Sequence, residues 1–157
     1  MIKLFALDVD GTLTDGGVYM DGRGGELKRF DIQDGYGLVQ LLNKGIKVVF
    51  ISGRFSAATA QRAEDLHITL CVQGSKNKIK DLTEIAAKFG VKQEETAYAG
   101  DDIPDIECIL WSAIGMAPAN AVEKVKASAD WISKSGGGNG AIRECAEHIL
   151  MINGDNE

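Results

Sequence analysis

An apolar segment that ends in two closely spaced carboxylates constrains the fold of this chain more than any other feature. Leu4 to Leu7 predict a strand that is buried on both faces, as in the middle of a parallel sheet. Asp8 and Asp10 follow directly, and Gly11 allows a sharp turn beside whatever the carboxylates bind. Ligands of open α/β sheets lie beyond the carboxyl ends of the strands, which is where these acids fall. Because two acids this close repel each other, we expect a divalent cation between them.

Length, charge and cysteine pattern restrict the class of protein. At 157 residues the chain fits a single domain, residues 1–157, with its own hydrophobic core. The net charge of −6 argues against a nucleic-acid partner, which needs a basic face. No apolar run approaches the roughly 20 residues of a membrane span and no targeting signal is evident, so we expect a cytoplasmic protein without a membrane partner. The cysteines, Cys71, Cys108 and Cys145, are scattered in apolar surroundings, which is typical of free thiols in a reducing compartment.

Strand and helix patterns alternate along the rest of the chain. Further strands are predicted over residues 47–51, 70–72, 94–99, 113–116 and 130–132. The first predicted helix begins at residue 38 and ends at a cap at Gly45. Further helices are predicted over residues 56–66, 79–89 and 141–152, and two more begin after residues 105 and 120. A Gly-rich turn between residues 18–20 and 26–30 predicts a β-hairpin at about 17–30. We therefore expect a doubly wound, Rossmann-like α/β fold with a parallel sheet, a small hairpin insertion after the first strand and a loose tail over 153–157.

Polar side chains follow four of the predicted strands. They are Asp8 and Asp10, Ser52, Lys78, and the group Asp101, Asp102 and Asp105. Since parallel strands bring their carboxyl ends to one edge of a sheet, these groups are expected to converge. Carboxylates, a hydroxyl and a lysine are what Mg²⁺-assisted phosphoryl transfer requires. Lys76 is the alternative lysine, and the position of Lys78 directly before an apolar helix favours Lys78.

Four segments carry these residues in a specific order along the chain. They are Asp8-Val9-Asp10-Gly11-Thr12, Ser52-Gly53-Arg54, Lys78, and Gly100-Asp101-Asp102-x-x-Asp105. These segments resemble the four motifs of the haloacid dehalogenase superfamily of phosphohydrolases, and the resemblance covers nearly the whole chain. It implies an enzyme that hydrolyses phosphate monoesters with Mg²⁺ as its cofactor.

The resemblance also implies a role for each motif residue. Asp8 is expected to be the nucleophile that forms an aspartyl-phosphate, and Asp10 the general acid and base. Asp8, the backbone carbonyl of Asp10 and Asp101 are expected to bind Mg²⁺, while Ser52 and Lys78 hold the phosphoryl oxygens. Asp102 and Asp105 are expected to orient the lysine or the waters of the metal. For Asp105, capping of the following helix is the alternative.

Two segments outside the motifs resemble a subgroup of the superfamily that lacks an inserted cap domain. They are Gly25 to Gly37 and Gly136 to Glu144. The subgroup resemblance implies a phosphorylated 2-keto-3-deoxy sugar acid as substrate. The resemblance favours 3-deoxy-D-manno-octulosonate 8-phosphate, which is a precursor for lipopolysaccharide. A nonulosonate 9-phosphate of the sialic-acid type is the alternative substrate. A phosphorylatable regulatory or scaffold domain with slow turnover is the alternative from another class.

The same resemblance predicts substrate contacts and an assembly. The predicted substrate-binding residues are Gly53, Arg54, Asp34, Arg62, Gly137 and Arg143. A flexible connector is the alternative for the glycine run, and solvent-facing charges or surface ion pairs are the alternative for the arginines. Because a capless site is open to water, we expect a homotetramer in which hairpins cover neighbouring sites.

Overall fold

The apolar segment at the N-terminus forms the centre of a parallel sheet. The computed structural model describes residues 1–155. Its strands are β1 (Leu4–Leu7), β2 (Tyr19–Met20), β3 (Glu26–Leu27), β4 (Lys47–Ile51), β5 (Leu70–Val72), β6 (Thr96–Ala99), β7 (Ile114–Ala117) and β8 (Trp131–Ile132). Strands β5, β4, β1, β6, β7 and β8 lie side by side in that order, and every neighbouring pair is parallel. The carboxyl ends of the central strands therefore share one edge.

Helices cover both faces of the sheet, which makes the fold doubly wound. They are α1 (Ile32–Asn43), α2 (Ala57–Asp65), α3 (Lys78–Phe89), α4 (Ile106–Trp111), α5 (Glu123–Ser128) and α6 (Ala141–Asn153). Helices α1, α2 and α6 pack on one face, and α3, α4 and α5 pack on the other. The predicted α/β architecture is confirmed. Within residues 1–155, none of the helices has the length and apolar character needed to cross a membrane.

The side chains of β1 alternate between the two helix layers and contribute to the core on both faces of the sheet. Phe5 and Leu7 belong to the core beneath α1, α2 and α6, whereas Leu4 and Ala6 belong to the core beneath α3, α4 and α5. All four residues are fully buried. Successive side chains of a strand point to opposite faces, so a strand with a helix layer on each side must be apolar throughout.

The start of α1 differs from the prediction. We expected the helix to begin at residue 38, because the segment before it is polar and contains two glycines. Instead it begins at Ile32, where the Asp31 side chain accepts hydrogen bonds from the N–H groups of Gln33 (2.7 Å) and Asp34 (3.2 Å). Gly37 lies inside the helix where α6 packs closely, since a Cβ there would come within 3.1 Å of Ala146 Cβ. Close helix packing therefore outweighs the low helix propensity of glycine.

The hairpin is shorter than predicted. Its paired residues are β2 and β3, with Tyr19 opposite Leu27 and Met20 opposite Glu26. The side chains of Tyr19, Met20 and Leu27 are 68%, 76% and 71% exposed. A two-stranded ribbon with exposed apolar side chains is a weak structure by itself.

The start of the predicted loose tail is held in place. Asn153 ends α6, where its amide exchanges hydrogen bonds with the backbone of Ile2: Ile2 N–H donates to Asn153 Oδ1 at 2.7 Å, and Asn153 Nδ2 donates to the Ile2 carbonyl at 2.9 Å. The backbone N–H of Asp155 also donates to the Leu150 carbonyl at 2.9 Å. The expectation of a loose tail is thus wrong for residues 153–155, and its last part, 156–157, lies outside the described residues.

Candidate active site

Four of the polar segments predicted to converge meet at the carboxyl edge of the sheet. A cavity of about 570 Å³ opens there. The candidate residues that line it are Asp8, Asp10, Gly53, Arg54, Lys78, Asp102 and Asp105. Asp8 and Asp10 follow β1, Gly53 and Arg54 follow β4, and Lys78 is the first residue of α3. The order of the strands thus assembles a site from segments that are far apart in sequence.

Lys78 is fixed between two carboxylates. Its Nζ donates to Asp8 Oδ1 at 2.7 Å and to Asp105 Oδ1 at 2.8 Å, and its side chain is 8% exposed. Asn77, whose side chain accepts from the Lys80 N–H at 3.1 Å, caps α3 and sets where the lysine leaves the loop. Burial opposes the charge on Lys78, but the neighbouring carboxylates outweigh burial and raise the pKa of its amine. Lys78 is therefore a permanent cation in the site.

Asp105 anchors this lysine and the loop after β6. Its Oδ1 also accepts from the Tyr98 hydroxyl at 2.6 Å, and its Oδ2 accepts from the backbone N–H groups of Asp101 (3.1 Å) and Asp102 (3.2 Å). Both oxygens of this buried carboxylate thus already have donors. Asp105 thus orients the lysine and closes the turn after β6, but its side chain makes no capping hydrogen bond to α4, so the alternative that it caps the following helix is wrong.

Asp8 and Asp101 form the part of the acidic cluster that suits a metal ion. One carboxylate oxygen from each of Asp8, Asp101 and Asp105 lies within 4.8 Å of the others. Burial, followed by the charge of Asp105, raises the pKa of Asp8 well above its usual range, and burial raises the pKa of Asp101 as well. Since Asp105 is saturated with hydrogen-bond donors, Asp8 and Asp101 are the carboxylates left to bind a cation. Hard carboxylate oxygens fit Mg²⁺ by their chemistry.

Two residues that the sequence analysis did not select stabilise the Asp101 side of the site. The Thr12 hydroxyl donates to Asp101 Oδ1 at 2.9 Å. Asn120 Nδ2 donates to the Gly11 carbonyl at 2.9 Å, while Asn120 Oδ1 accepts from the Gly137 N–H at 2.6 Å. Thr12 was visible in the first motif, whereas Asn120 had no local signal because its partners lie 109 and 17 residues away.

The hairpin contributes two further residues that were missed. Lys28 Nζ lies 2.7 Å from Asp10 Oδ1 and 3.6 Å from Glu26 Oε1. Glu26 also pairs with Arg54, whose Nη2 lies 2.7 Å from Glu26 Oε2. Both hairpin residues belong to the segment on which the subgroup resemblance rested, which was the available signal. The structure shows that this segment reaches the first motif of its own chain.

Ser52 and Asp102 lie close to the cavity in different ways. Ser52 is 1% exposed, and its Oγ accepts from the backbone N–H of Arg54 at 3.3 Å. The serine thus shapes the turn that presents Arg54 to the cavity. Asp102 Oδ1 accepts from the Ile103 N–H at 2.8 Å, so this carboxylate caps the short 3-10 turn beside the cavity.

Asp34 makes a structural contact outside the cavity of its own chain, and its predicted substrate contact stays a prediction. It is fully buried, and its Oδ1 accepts the Arg143 N–H at 2.9 Å, near the start of α6. Burial raises the pKa of Asp34. A carboxylate at a helix N-terminus is stabilised by the unpaired backbone N–H groups there. Asp34 therefore joins α1 to α6, on the opposite side of the sheet from α3.

Three other predicted substrate residues, Arg62, Gly137 and Arg143, also lie outside the cavity of their own chain. Arg62 donates to the Asp31 carbonyl at 3.1 Å, and Arg143 pairs with Glu147 at 2.6 Å. Gly137 packs against the first motif, where a Cβ would come within 2.2 Å of the Gly11 carbonyl oxygen. Within one chain, the structure therefore brings Gly53 and Arg54 to the cavity but not Arg62, Gly137 or Arg143.

Comparison with known proteins places the chain in a family. Residues 71–144 match the haloacid dehalogenase-like hydrolase family. The 3-deoxy-D-manno-octulosonate 8-phosphate phosphatase KdsC of Escherichia coli K12 is 37% identical over 153 residues, which cover 98% of this chain and 81% of the relative. The KdsC of Yersinia pestis is 36% identical over 150 residues, which cover 96% of this chain and 80% of the relative. The chain belongs to the haloacid dehalogenase-like hydrolases.

Solved structures of such hydrolases have the same fold. The phosphatase of this name from Moraxella catarrhalis, crystallised with magnesium, phosphate and KDO, superposes with a TM-score of 0.94 at 41% identity, covering 98% of this chain and 89% of that one. The cobalt-bound phosphatase from Haemophilus influenzae superposes with a TM-score of 0.94 at 37% identity, covering 98% of this chain and 90% of that one. The resemblance to the superfamily that the four motifs indicated is thereby confirmed.

The close approach of Gly11 to Asp101 generates a prediction for this hydrolase. Gly11 has φ +90°, and a Cβ there would lie 2.1 Å from Asp101 Oδ2. We expect Gly11→Ala to displace the Asp101 carboxylate and to lower Mg²⁺-dependent phosphatase activity by about 100-fold, since small displacements of a reacting centre cost that much. Steady-state hydrolysis over a Mg²⁺ titration measures the effect.

Gly24→Ala is the matched control. Gly24 has nearly the same backbone conformation, φ +87°, but a Cβ there meets no atom within 4 Å. Both variants are expected to lose about 1–2 kcal/mol of folding free energy from the left-handed backbone. An equal loss of activity in the two variants would show that backbone strain, and not the contact with Asp101, is responsible.

Proposed function

We propose that this chain is a cytoplasmic, Mg²⁺-dependent phosphoric monoester hydrolase that acts on 3-deoxy-D-manno-octulosonate 8-phosphate, a precursor for lipopolysaccharide. One observation carries the choice of substrate: the Moraxella catarrhalis phosphatase, crystallised with magnesium, phosphate and KDO, is 41% identical over 98% of this chain. The site described above supports the reaction class, because it combines buried carboxylates, a lysine and a neighbouring acid at one sheet edge.

Asp8 acts as the nucleophile in this proposal. Lys78 holds its Oδ1 at 2.7 Å, which leaves the second oxygen to attack the phosphorus and form an aspartyl-phosphate. Asp8, Asp101 and the backbone carbonyl of Asp10 would hold Mg²⁺, which when bound offsets the negative charge of the phosphoryl group. Lys78 and Ser52 hold the phosphoryl oxygens, and the ammonium stabilises the charge that develops on them.

Asp10 transfers the protons. It lies two residues after the nucleophile and lines the same cavity. In the first step its carboxylic acid protonates the oxygen of the leaving sugar alcohol, so the alcohol departs neutral. In the second step the resulting carboxylate removes a proton from the water that attacks the aspartyl-phosphate, which releases phosphate and restores both side chains.

A panel of phosphorylated sugar acids tests the substrate. We expect the octulosonate 8-phosphate to give the highest kcat/KM in the presence of Mg²⁺, and a chelator to abolish turnover. Asp8→Asn keeps the shape of the side chain and is expected to reduce turnover by about 10³-fold or more, as the loss of a catalytic unit does. A preference for a nonulosonate 9-phosphate would replace the proposed substrate. Absence of turnover on every ester would favour a phosphorylatable regulatory domain.

Arg54 is proposed to select the substrate. It lines the cavity, and its side chain is 47% exposed while it pairs with Glu26 at 2.7 Å. A guanidinium at the rim attracts an anionic phosphosugar and can bind its carboxylate through two hydrogen bonds. We expect Arg54→Glu to change the ratio of kcat/KM for the octulosonate and nonulosonate phosphates by about tenfold or more, since specificity is a difference in transition-state binding.

Arg23→Glu is the control for this charge change. Arg23 is exposed at the turn of the hairpin and does not line the cavity. Arg23→Glu makes the same change in net charge as Arg54→Glu without altering the rim of the cavity. If the ratio of the two kcat/KM values is the same in Arg54→Glu as in Arg23→Glu, Arg54 does not select the substrate.

A homotetramer is the proposed assembly. The hairpin exposes Tyr19, Met20 and Leu27, and apolar side chains on an unpaired ribbon favour burial against another chain. Light scattering of the wild type is expected to give the mass of four chains. The double variant Met20→Asp, Leu27→Asp keeps the residues that contact Asp10, and it is expected to dissociate and to lose activity as the sites lose their cover. A wild type that is monomeric and fully active would refute this assembly.

A further inference from the structure

Lys28 on the hairpin is an unusually buried cation. Its side chain is 0% exposed, and its Nζ lies 2.7 Å from Asp10 Oδ1 and 3.4 Å from Thr59 Oγ1. Lysine is almost never fully buried unless it is paired, because removing an ammonium from water is costly. The contact with Asp10 is an ion pair without aligned hydrogen-bond geometry. A surface charge that merely faces solvent does not show this burial.

Lys28 contacts Asp10 without lining the cavity itself. Asp10 lines the cavity, whereas Lys28 is not among the residues that do. A substrate in the cavity thus meets the Asp10 carboxylate and not the ammonium of Lys28. Asp10 is the cavity-lining residue that Lys28 contacts, so Asp10 is the direct route by which Lys28 can act on the reaction.

A second pair of opposite charges keeps the hairpin against the site. Glu26 Oε1 lies 3.6 Å from Lys28 Nζ, and Glu26 Oε2 lies 2.7 Å from Arg54 Nη2. Arg54 Nη1 lies 3.9 Å from Asp10 Oδ1. Asp10, Lys28, Glu26 and Arg54 thus form one network of alternating charges, of which Asp10 and Arg54 line the cavity. This network connects the hairpin to the segments that follow β1 and β4, so Lys28 has a fixed position relative to Asp10.

We propose that Lys28 is a positioning residue of the phosphatase reaction, which holds the Asp10 carboxylate of its own chain in the orientation that proton transfer needs. The inference rests on the phosphatase activity proposed above. The proton moves between Asp10 and the leaving oxygen or the attacking water, and Lys28 keeps its own protons throughout. A carboxyl group misoriented by even a small angle transfers protons poorly, since the transfer needs hydrogen-bond reach.

Three variants test this role on whichever phosphate ester the wild type hydrolyses fastest. Lys28→Met removes the charge and keeps an apolar stem of similar length, Lys28→Arg restores a cation, and Arg23→Met removes a charge at the exposed hairpin turn. We expect Lys28→Met to lower kcat by about tenfold or more, because general acid–base catalysis contributes about 10²–10⁴-fold and the variant loses part of it. We expect KM to stay within about threefold of the wild-type value. Lys28→Arg is expected to regain part of kcat, and Arg23→Met to match the wild type.

The other outcomes would overturn the inference. A higher KM with unchanged kcat in Lys28→Met would make Lys28 a substrate contact. An equal loss of kcat in Lys28→Met and Lys28→Arg, together with a lowered Tm in both, would make its role purely structural. A kcat within about threefold of the wild type in Lys28→Met would show that Asp10 needs no such support. Failure of the wild type to hydrolyse any ester would instead refute the proposed function.

Subunit mixing tests whether Lys28 acts within its own chain. Lys28→Met and Asp8→Asn chains are co-expressed with different tags, and mixed assemblies are purified through both tags. Because Lys28 contacts Asp10 of the same chain, the mixed assemblies are expected to be no more active than the average of the two variants. Activity above that average would mean that an intact Lys28 serves the site of a neighbouring chain, which contradicts the proposal.

Discussion

The ion pairs of Lys78 with Asp8 and Asp105 join the parts of the fold that form the site. Lys78 opens α3, Asp8 follows β1 and Asp105 follows β6, so one buried ammonium ties three elements together. Burying such charges is costly, and the opposite charges offset that cost only while all of them are in place. Removing one partner of a buried pair costs about 3–5 kcal/mol in other proteins. The stability of this sheet edge and the geometry needed for catalysis thus depend on the same contacts.

Hydrogen bonding gives similar carboxylates different roles. Asp105 receives Lys78, the Tyr98 hydroxyl and two backbone N–H groups, so its oxygens cannot also attack a phosphorus atom. Asp8 shares the same lysine but faces the cavity, and burial raises its pKa. A nucleophile must keep an oxygen available, whereas an anchor must not. The number of donors around each acid therefore distinguishes Asp105 from Asp8, the proposed nucleophile, more clearly than their sequence positions do.

Local patterns were enough to predict the sheet and the acids at its edge. Strand β1 was predictable because a strand between two helix layers must be apolar at every position. The start of α1 was not, because Gly37 inside a helix is acceptable only where α6 packs against it. The contact of Lys28 with Asp10 depends on where the hairpin segment lies relative to the first motif, and no local pattern encodes that. The contact of Asp34 with the start of α6 likewise had no local signal, because its partner lies 109 residues away.

The charge balance of the site explains why a divalent cation belongs to its chemistry. Asp8, Asp101 and Asp105 lie together, and a phosphate monoester adds about two negative charges at neutral pH. One ammonium, that of Lys78, cannot balance this charge, and burial strengthens the repulsion because the local dielectric is low. The charge of Asp10 is meanwhile balanced by Lys28 from outside the cavity. The chain thus supplies a cation of its own to Asp105 and to Asp10, the proposed proton-transfer residue, and the negative charge that remains at Asp8 and Asp101 is the part that Mg²⁺ would balance in the proposed reaction.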